Sequence, residues 1–162
     1  PSELNTVFEE KVFSRDNAEI SKKIHLNGSE QIVLAYEPEE EGDPFYEVTI
    51  HKEPSRADAA FGLASIWHSF RVGLSLEDKN FDLREHEYTE KYGPLGDSAR
   101  FGTIVYAGQP VGSICVVRAG NNTFSLILMG RAVKDPSLYY RILGERMNVL
   151  RDVVIASSGR AE

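Results

Sequence analysis

The sequence has one cysteine, one tryptophan and two methionines in 162 residues, and no apolar run of the length a bilayer span requires. A single cysteine, Cys115, excludes an intrachain disulfide and a cysteine-based metal cluster. Its setting in Val111-Gly-Ser-Ile-Cys-Val-Val117 predicts a small buried hydrophobe rather than a reactive thiol. The four histidines, His25, His51, His68 and His86, include no H-x-x-x-H pair. His86 sits between Glu85 and Glu87, but successive strand residues point to opposite faces, so the three cannot chelate together. No G-x-S-x-G elbow, P-loop or dinucleotide fingerprint occurs, and Gly112-Ser113 falls inside a strand pattern. No catalytic residue, metal or cofactor is therefore assigned. There is no secretory signal. The chain opens Pro1-Ser2 without Met, as a processed or trimmed product would. One cysteine suits the cytoplasm and does not exclude a bacterial cell envelope.

Charge of one sign is also short in places. Residues 1–100 carry 21 Asp/Glu against 11 Lys/Arg, and residues 101–162 carry 4 against 7, for a net charge of −7. An acidic surface repels phosphate backbones, so nucleic acid is not an expected partner. Simple solubility accounts for the imbalance; an acidic face for a basic protein partner is the sharper alternative. The acidic run Glu37-Pro-Glu39-Glu40-Glu41-Gly-Asp-Pro44 lacks the alternating oxygen register of a calcium loop and is expected to be a hairpin loop.

What the sequence does hold is a strong β signal. Phe101–Tyr106, Val111–Val117 and Phe124–Met129 predict three consecutive antiparallel strands at the centre of one sheet, apolar on both faces. Gln31–Tyr36 and Phe45–Ile50 predict a hairpin with Tyr46, Val48 and Ile50 inside, and Asn27-Gly28 a tight turn before it. Residues 3–13 could add a first strand, and the charged stretch 82–92 reads as an exposed edge strand.

Two helices are expected. Ser55 caps the first, with Asp58 reaching back in the manner of a capping box. Leu63, Ile66, Trp67, Phe70 and Leu74 then fall at helical spacing, while Phe61, Ala64 and Val72 lie off that stripe. A helix apolar round so much of its circumference is covered on both sides or presents a contact surface. Asp135-Pro136 opens the second helix, with Leu143, Met147, Leu150 and Val154 as its buried stripe.

The segments Tyr92-Gly-Pro94, Cys115-Val-Val-Arg118 and Phe124-Ser-Leu-Ile-Leu128, with the final helix, resemble small uncharacterised proteins of alphaproteobacteria that often look exported. The order of elements also resembles the PsbP/Mog1-like α+β fold. The second resemblance implies binding and accessory roles rather than chemistry, and it carries no binding motif onto named residues.

The expectation is one α+β domain over residues 1–162, with frayed ends at 1–10 and 157–162. It would hold a single antiparallel sheet of five to seven strands and two main helices, at about 55–73 and 136–155. The expected function is that of a non-enzymatic binding or accessory domain for a protein partner, as monomer or homodimer. Its candidate contact residues are Phe61, Trp67, His68, Tyr139 and Tyr140, with Glu39, Glu40 and Glu41 on the acidic loop. Two alternatives are a small enzyme using His51, His68 or His86 with Glu85 or Glu87, and an acidic dimeric chaperone that binds an extended peptide of a secreted effector.

Overall fold

The computed structural model describes residues 18–36, 44–86, 95–133 and Tyr139. Strands β1 (Ala18–Ile24), β2 (Glu30–Tyr36) and β3 (Phe45–Lys52) form an antiparallel meander. Helix α1 (Arg56–Glu77) carries the chain to the opposite edge, where β4 (Phe81–His86) begins a second meander. Strands β5 (Ser98–Tyr106), β6 (Gln109–Ala119) and β7 (Asn122–Met129) run back until β7 pairs with β3, from Phe45 opposite Met129 to Lys52 opposite Asn122. The result is one seven-stranded antiparallel sheet in the order β1-β2-β3-β7-β6-β5-β4.

Local chemistry sets the connections. Asn27 Oδ1 accepts from the Ser29 backbone N–H and hydroxyl, which closes the β1–β2 turn with Gly28 at φ 83°. The β5–β6 link is a two-residue turn, Ala107-Gly108, with both residues at positive φ, a conformation whose twist matches the flanking strands. Pro110, expected in that turn, instead lies within β6 opposite Val105, where the register shifts; an irregularity is where a strand tolerates a residue with no N–H. Asp97 braces the β6–β7 turn by accepting from Gly120 N–H at 2.8 Å while pairing with Arg118 at 3.2 Å.

The expectation of two main helices does not hold for what the structure describes. Among the described residues there is a single helix and a dominant sheet, so the described part is mostly β. The second predicted helix, 136–155, lies outside the described residues apart from Tyr139, as do the possible strand at 3–13 and most of the acidic loop. Helix α1 also runs past the expected end at residue 73, to Glu77. Gly73 meets nothing within 4 Å of a notional Cβ, so it weakens the helix by propensity without ending it. At the N-terminus the Ser55 Oγ accepts from Asp58 N–H at 3.1 Å, and its hydroxyl donates to the Asp58 carboxylate at 2.5 Å. The cap is as expected, although Asp58 reaches the hydroxyl and not the backbone.

The sheet is buried on both sides at its centre. On one face α1 lays Leu63 and Trp67 against Leu83, Ile104, Ile114 and Val116. On the other, Tyr36, Tyr46, Phe101, Cys115, Val117, Phe124, Leu126 and Leu128 form a second cluster, which Tyr139 joins with its ring 5.1 Å from Phe101. Two glycines make room, one beneath the helix and one against the neighbouring strands. A Cβ at Gly102 would meet Leu83 Cδ1 at 2.7 Å and the Trp67 indole at 3.0 Å, and one at Gly112 would sit 2.5 Å from the Leu128 carbonyl oxygen. Thr123, fully buried, anchors the helix start by donating to Ala59 O at 3.1 Å. Strand β3 is buried on both faces too: Thr49 is enclosed opposite Ser125 and donates to Glu47 at 3.0 Å, where alternation alone predicted a solvent side.

Two expectations follow for urea unfolding followed by circular dichroism. Trp67→Ala leaves a cavity between helix and sheet and lowers stability by about 3–5 kcal/mol, whereas Phe61→Ala, on the same helix, changes it by less than about 0.5 kcal/mol. Gly112→Ala drives a methyl group into rigid backbone and costs about 1–3 kcal/mol, whereas Gly73→Ala raises stability by roughly 0.5–1 kcal/mol.

Candidate functional site

Helix α1 buries one side and shows the other. Ala59, Leu63 and Trp67 are buried and Ile66, Phe70 and Leu74 half-buried, which fixes the sheet-facing stripe. The opposite side carries Phe61, His68, Val72 and Leu76, spaced by seven, four and four residues, so they fall in one row. Their exposure is the unusual part: Phe61 is 75% exposed, Val72 41% and Leu76 81%. Ala57, Ala60 and Ala64 flank the row and are also exposed. A surface helix ordinarily places charge there, so the outward apolar row is the candidate contact surface.

A second apolar margin lies at the β1 edge, where Ile20 and Ile24 are exposed on the sheet face away from the helix. It is interrupted by charge. Lys22 stands between them and pairs with Glu30 at 2.9 Å, and Lys52 approaches Glu30 at 3.7 Å. The hydrogen bond and charge of Lys22 hold the Glu30 carboxyl below its ordinary value. Lysines on an edge strand oppose further strand pairing. The row on α1 is interrupted by Ser65 and His68 but by no charged residue, and it is the better candidate.

The residues singled out in the sequence separate into three groups. Phe61 and His68 are exposed on α1 and belong to the row. Trp67 and Tyr139 are buried on opposite faces of the sheet, so they form no common patch and act as core. Trp67 is covered further by the Arg100 guanidinium, 5.8 Å from its ring centre. Tyr140, Glu39, Glu40 and Glu41 lie outside the described residues. Val72 and Leu76 completed the row and were missed. Val72 was legible as a residue off the buried stripe, whereas Leu76 fell beyond the predicted helix end.

The groups offered for an enzyme site are dispersed. His51 is on β3 and His86 on β4, four strand spacings or roughly 19 Å apart, and they project from opposite sheet faces. His86 Nε2 lies 2.7 Å from Thr103 Oγ1, while Glu85, on the other face, pairs with Arg100 at 3.8 Å. His68 stands alone on the helix, and Glu87 is outside the described residues. No group of three or more His, Cys, Asp or Glu is placed to hold a metal among the described residues. Burial pushes the Cys115 thiol well above its ordinary value, which keeps it protonated and unreactive. Burial likewise raises Tyr139, with a hydrogen bond to Ser113 acting in the other direction.

Partial burial, then the nearby charge of His25, lower His51 from 6.5. The unfolded chain therefore takes up this proton at a higher pH than the folded one. Below about pH 6.5 the unfolded state binds more protons, and stability falls as pH drops toward the folded value. Thermal melts between about pH 7 and pH 5 are expected to show this loss, and His51→Gln to flatten it.

Among the described residues no helix is long and apolar enough to cross a membrane. No family model matches the chain, and no curated protein and no solved structure matches it either.

Proposed function

We propose that the chain is a non-enzymatic binding or accessory domain whose contact surface is the outer side of α1. The observation that carries this reading is the exposed apolar row Phe61, Val72 and Leu76 on a helix whose inner side is fixed by Trp67 and Leu63. Exposing large apolar side chains costs solubility and contributes nothing to the core, so their place on a rigid helix is explained by a partner that covers them. The scaffold supports the same view. A helix seated on a sheet buried from both sides presents its outer row with little freedom, which lowers the ordering cost of binding. His68, at the middle of the row, supplies a polar group that can fix orientation.

The enzyme alternative gains nothing from the geometry, because His51 and Glu85 are four strands apart, His86 is on the opposite sheet face and His68 is on the outer side of α1. The chaperone alternative uses the same helix, but no observation selects an extended peptide as its occupant. A photo-crosslinking amino acid at position 61 or 76 tests the proposal in cells of the native host. Adducts are expected from both positions and not from Ser98, which is exposed on β5. The triple variant Phe61→Ser, Val72→Ser, Leu76→Ser is expected to fold, and crosslinking from position 69 in that background is expected to fall at least tenfold. Equal adducts from Ser98 would sink the assignment.

A further inference from the structure

The turn between β1 and β2 holds a reactive amide, and we infer that Asn27 is a self-modification site that converts without an enzyme into aspartyl and isoaspartyl forms. Asparagine is thermolabile, and of the seven in the chain Asn27 alone precedes a glycine. Residues 25–28 are exposed, and a Cβ at Gly28 would meet nothing within 4 Å, so the Asn27 amide is open to water and to the next backbone nitrogen. Its Oδ1 accepts from the Ser29 N–H at 3.0 Å and from the Ser29 hydroxyl at 2.8 Å. Both bonds draw electron density from the side-chain carbonyl carbon, and both donors already stand where negative charge develops when that carbon is attacked. The nucleophile is the Gly28 nitrogen. One bond restrains it, from Gly28 N–H to His25 O at 3.0 Å. That bond closes an edge hairpin, since β1 pairs only with β2, and such ends open at less cost than the centre of a sheet. Asn80, Asn121 and Asn122 precede Phe81, Asn122 and Thr123, whose side chains crowd the attacking nitrogen.

The reaction consumes only water and involves no oxidation or reduction. The Gly28 nitrogen loses its proton and bonds to Asn27 Cγ. The Cγ–Nδ2 bond breaks, and the side-chain nitrogen leaves with that proton as ammonia. Water then opens the cyclic imide at either carbonyl. Opening at Cγ leaves aspartate at position 27, which still offers Ser29 an acceptor, so the turn survives. Opening at the main-chain carbonyl leaves isoaspartate, whose main chain runs through Cβ and Cγ and is longer by one atom. The two bonds that close the turn both span position 27: His25 N–H to Ser29 O at 2.9 Å, and Gly28 N–H to His25 O. An added atom between their ends misaligns them. The pairing of Ile24 with Glu30 begins at that closure, and β1 has no second neighbour to hold it, so isoaspartate loosens β1 from the turn end. Loosening β1 also withdraws Lys22 and Lys23 and bares β2, with Ile32 and Leu34, as a new edge.

Ageing of the purified 162-residue chain at neutral pH and physiological temperature tests this, with tryptic mapping and isoaspartyl methyltransferase labelling at intervals. Label is expected to accumulate in the tryptic peptide 24–52, which holds no asparagine but Asn27, and to vanish from it in Asn27→Gln. In the isoaspartyl fraction, hydrogen exchange of the β1 amides bonded to β2 is expected to quicken about tenfold, with β6 unchanged. Asn27→Asp is expected to leave β1 exchange as it is, which separates the added main-chain atom from the added charge. No label in peptide 24–52, once the same chain held in urea has converted, would overturn the inference, because the turn would then protect Asn27. Label appearing first at Asn80, Asn121 or Asn122 would overturn it as well. Unaltered β1 exchange in the isoaspartyl fraction would overturn its second half, the loosening of β1.

Discussion

Burial of β6 and β7 on both faces is the constraint from which the rest of the structure follows. Ile114, Val116 and Ile127 project to one side and Cys115, Val117, Leu126 and Leu128 to the other. Antiparallel sheets commonly leave one face to water, and these two strands cannot. Helix α1 supplies one cover, and its placement is tight: Gly102 must lack a side chain beneath it, and Trp67 takes the volume that Gly102 leaves. The far side is closed in part by Tyr139 over Phe101 and by Val133, whose N–H donates to Ser113 Oγ at 2.7 Å.

Because the inner side of α1 is committed to the sheet, its outer side is free to carry a pattern of its own. Folding needs Leu63, Ile66, Trp67, Phe70 and Leu74 on this helix. It does not need Phe61, Val72 or Leu76, which contribute little to the core. The same helix thus carries two apolar rows, one packed on the sheet and one exposed. Substitutions on the exposed row are therefore expected to leave stability within a few tenths of a kcal/mol.

The legible parts of the fold were those with local causes. The strands of residues 101–129 showed in their apolar runs, the start of α1 in Ser55 and Asp58, and the first turn in Asn27-Gly28. Partners remote in sequence left no such trace. Nothing in Phe45–Lys52 announces that Asn122–Met129 will lie beside it, and alternation put Thr49 on the solvent side although it is buried opposite Ser125 of β7. The candidate site was half legible. Helical spacing already put Trp67 with Leu63, Ile66 and Phe70 on the inside; its aromatic character drew it wrongly toward the surface. Tyr139 misled for the same reason, since a tyrosine at a helix start can as well close a core as line a contact.

The pairing of β3 with β7 has a further consequence in the order of synthesis. Strand β3 is third in a seven-stranded sheet, yet its partner begins about 70 residues after it ends, at Asn122. At roughly 5–20 residues per second, a ribosome takes about 4–14 s to produce that stretch. Throughout that interval β3 has no β7 to pair with, so a meander of β1, β2 and β3 formed in that time would carry β3 as an open edge. Phe45, Tyr46, Val48 and Ile50 make it adhesive, whereas Glu47, His51 and Lys52 set charge along it. In the finished molecule those three residues sit beside a paired strand. On the ribosome they guard an open one, which gives charge a purpose at a position where the mature sheet has no edge to protect.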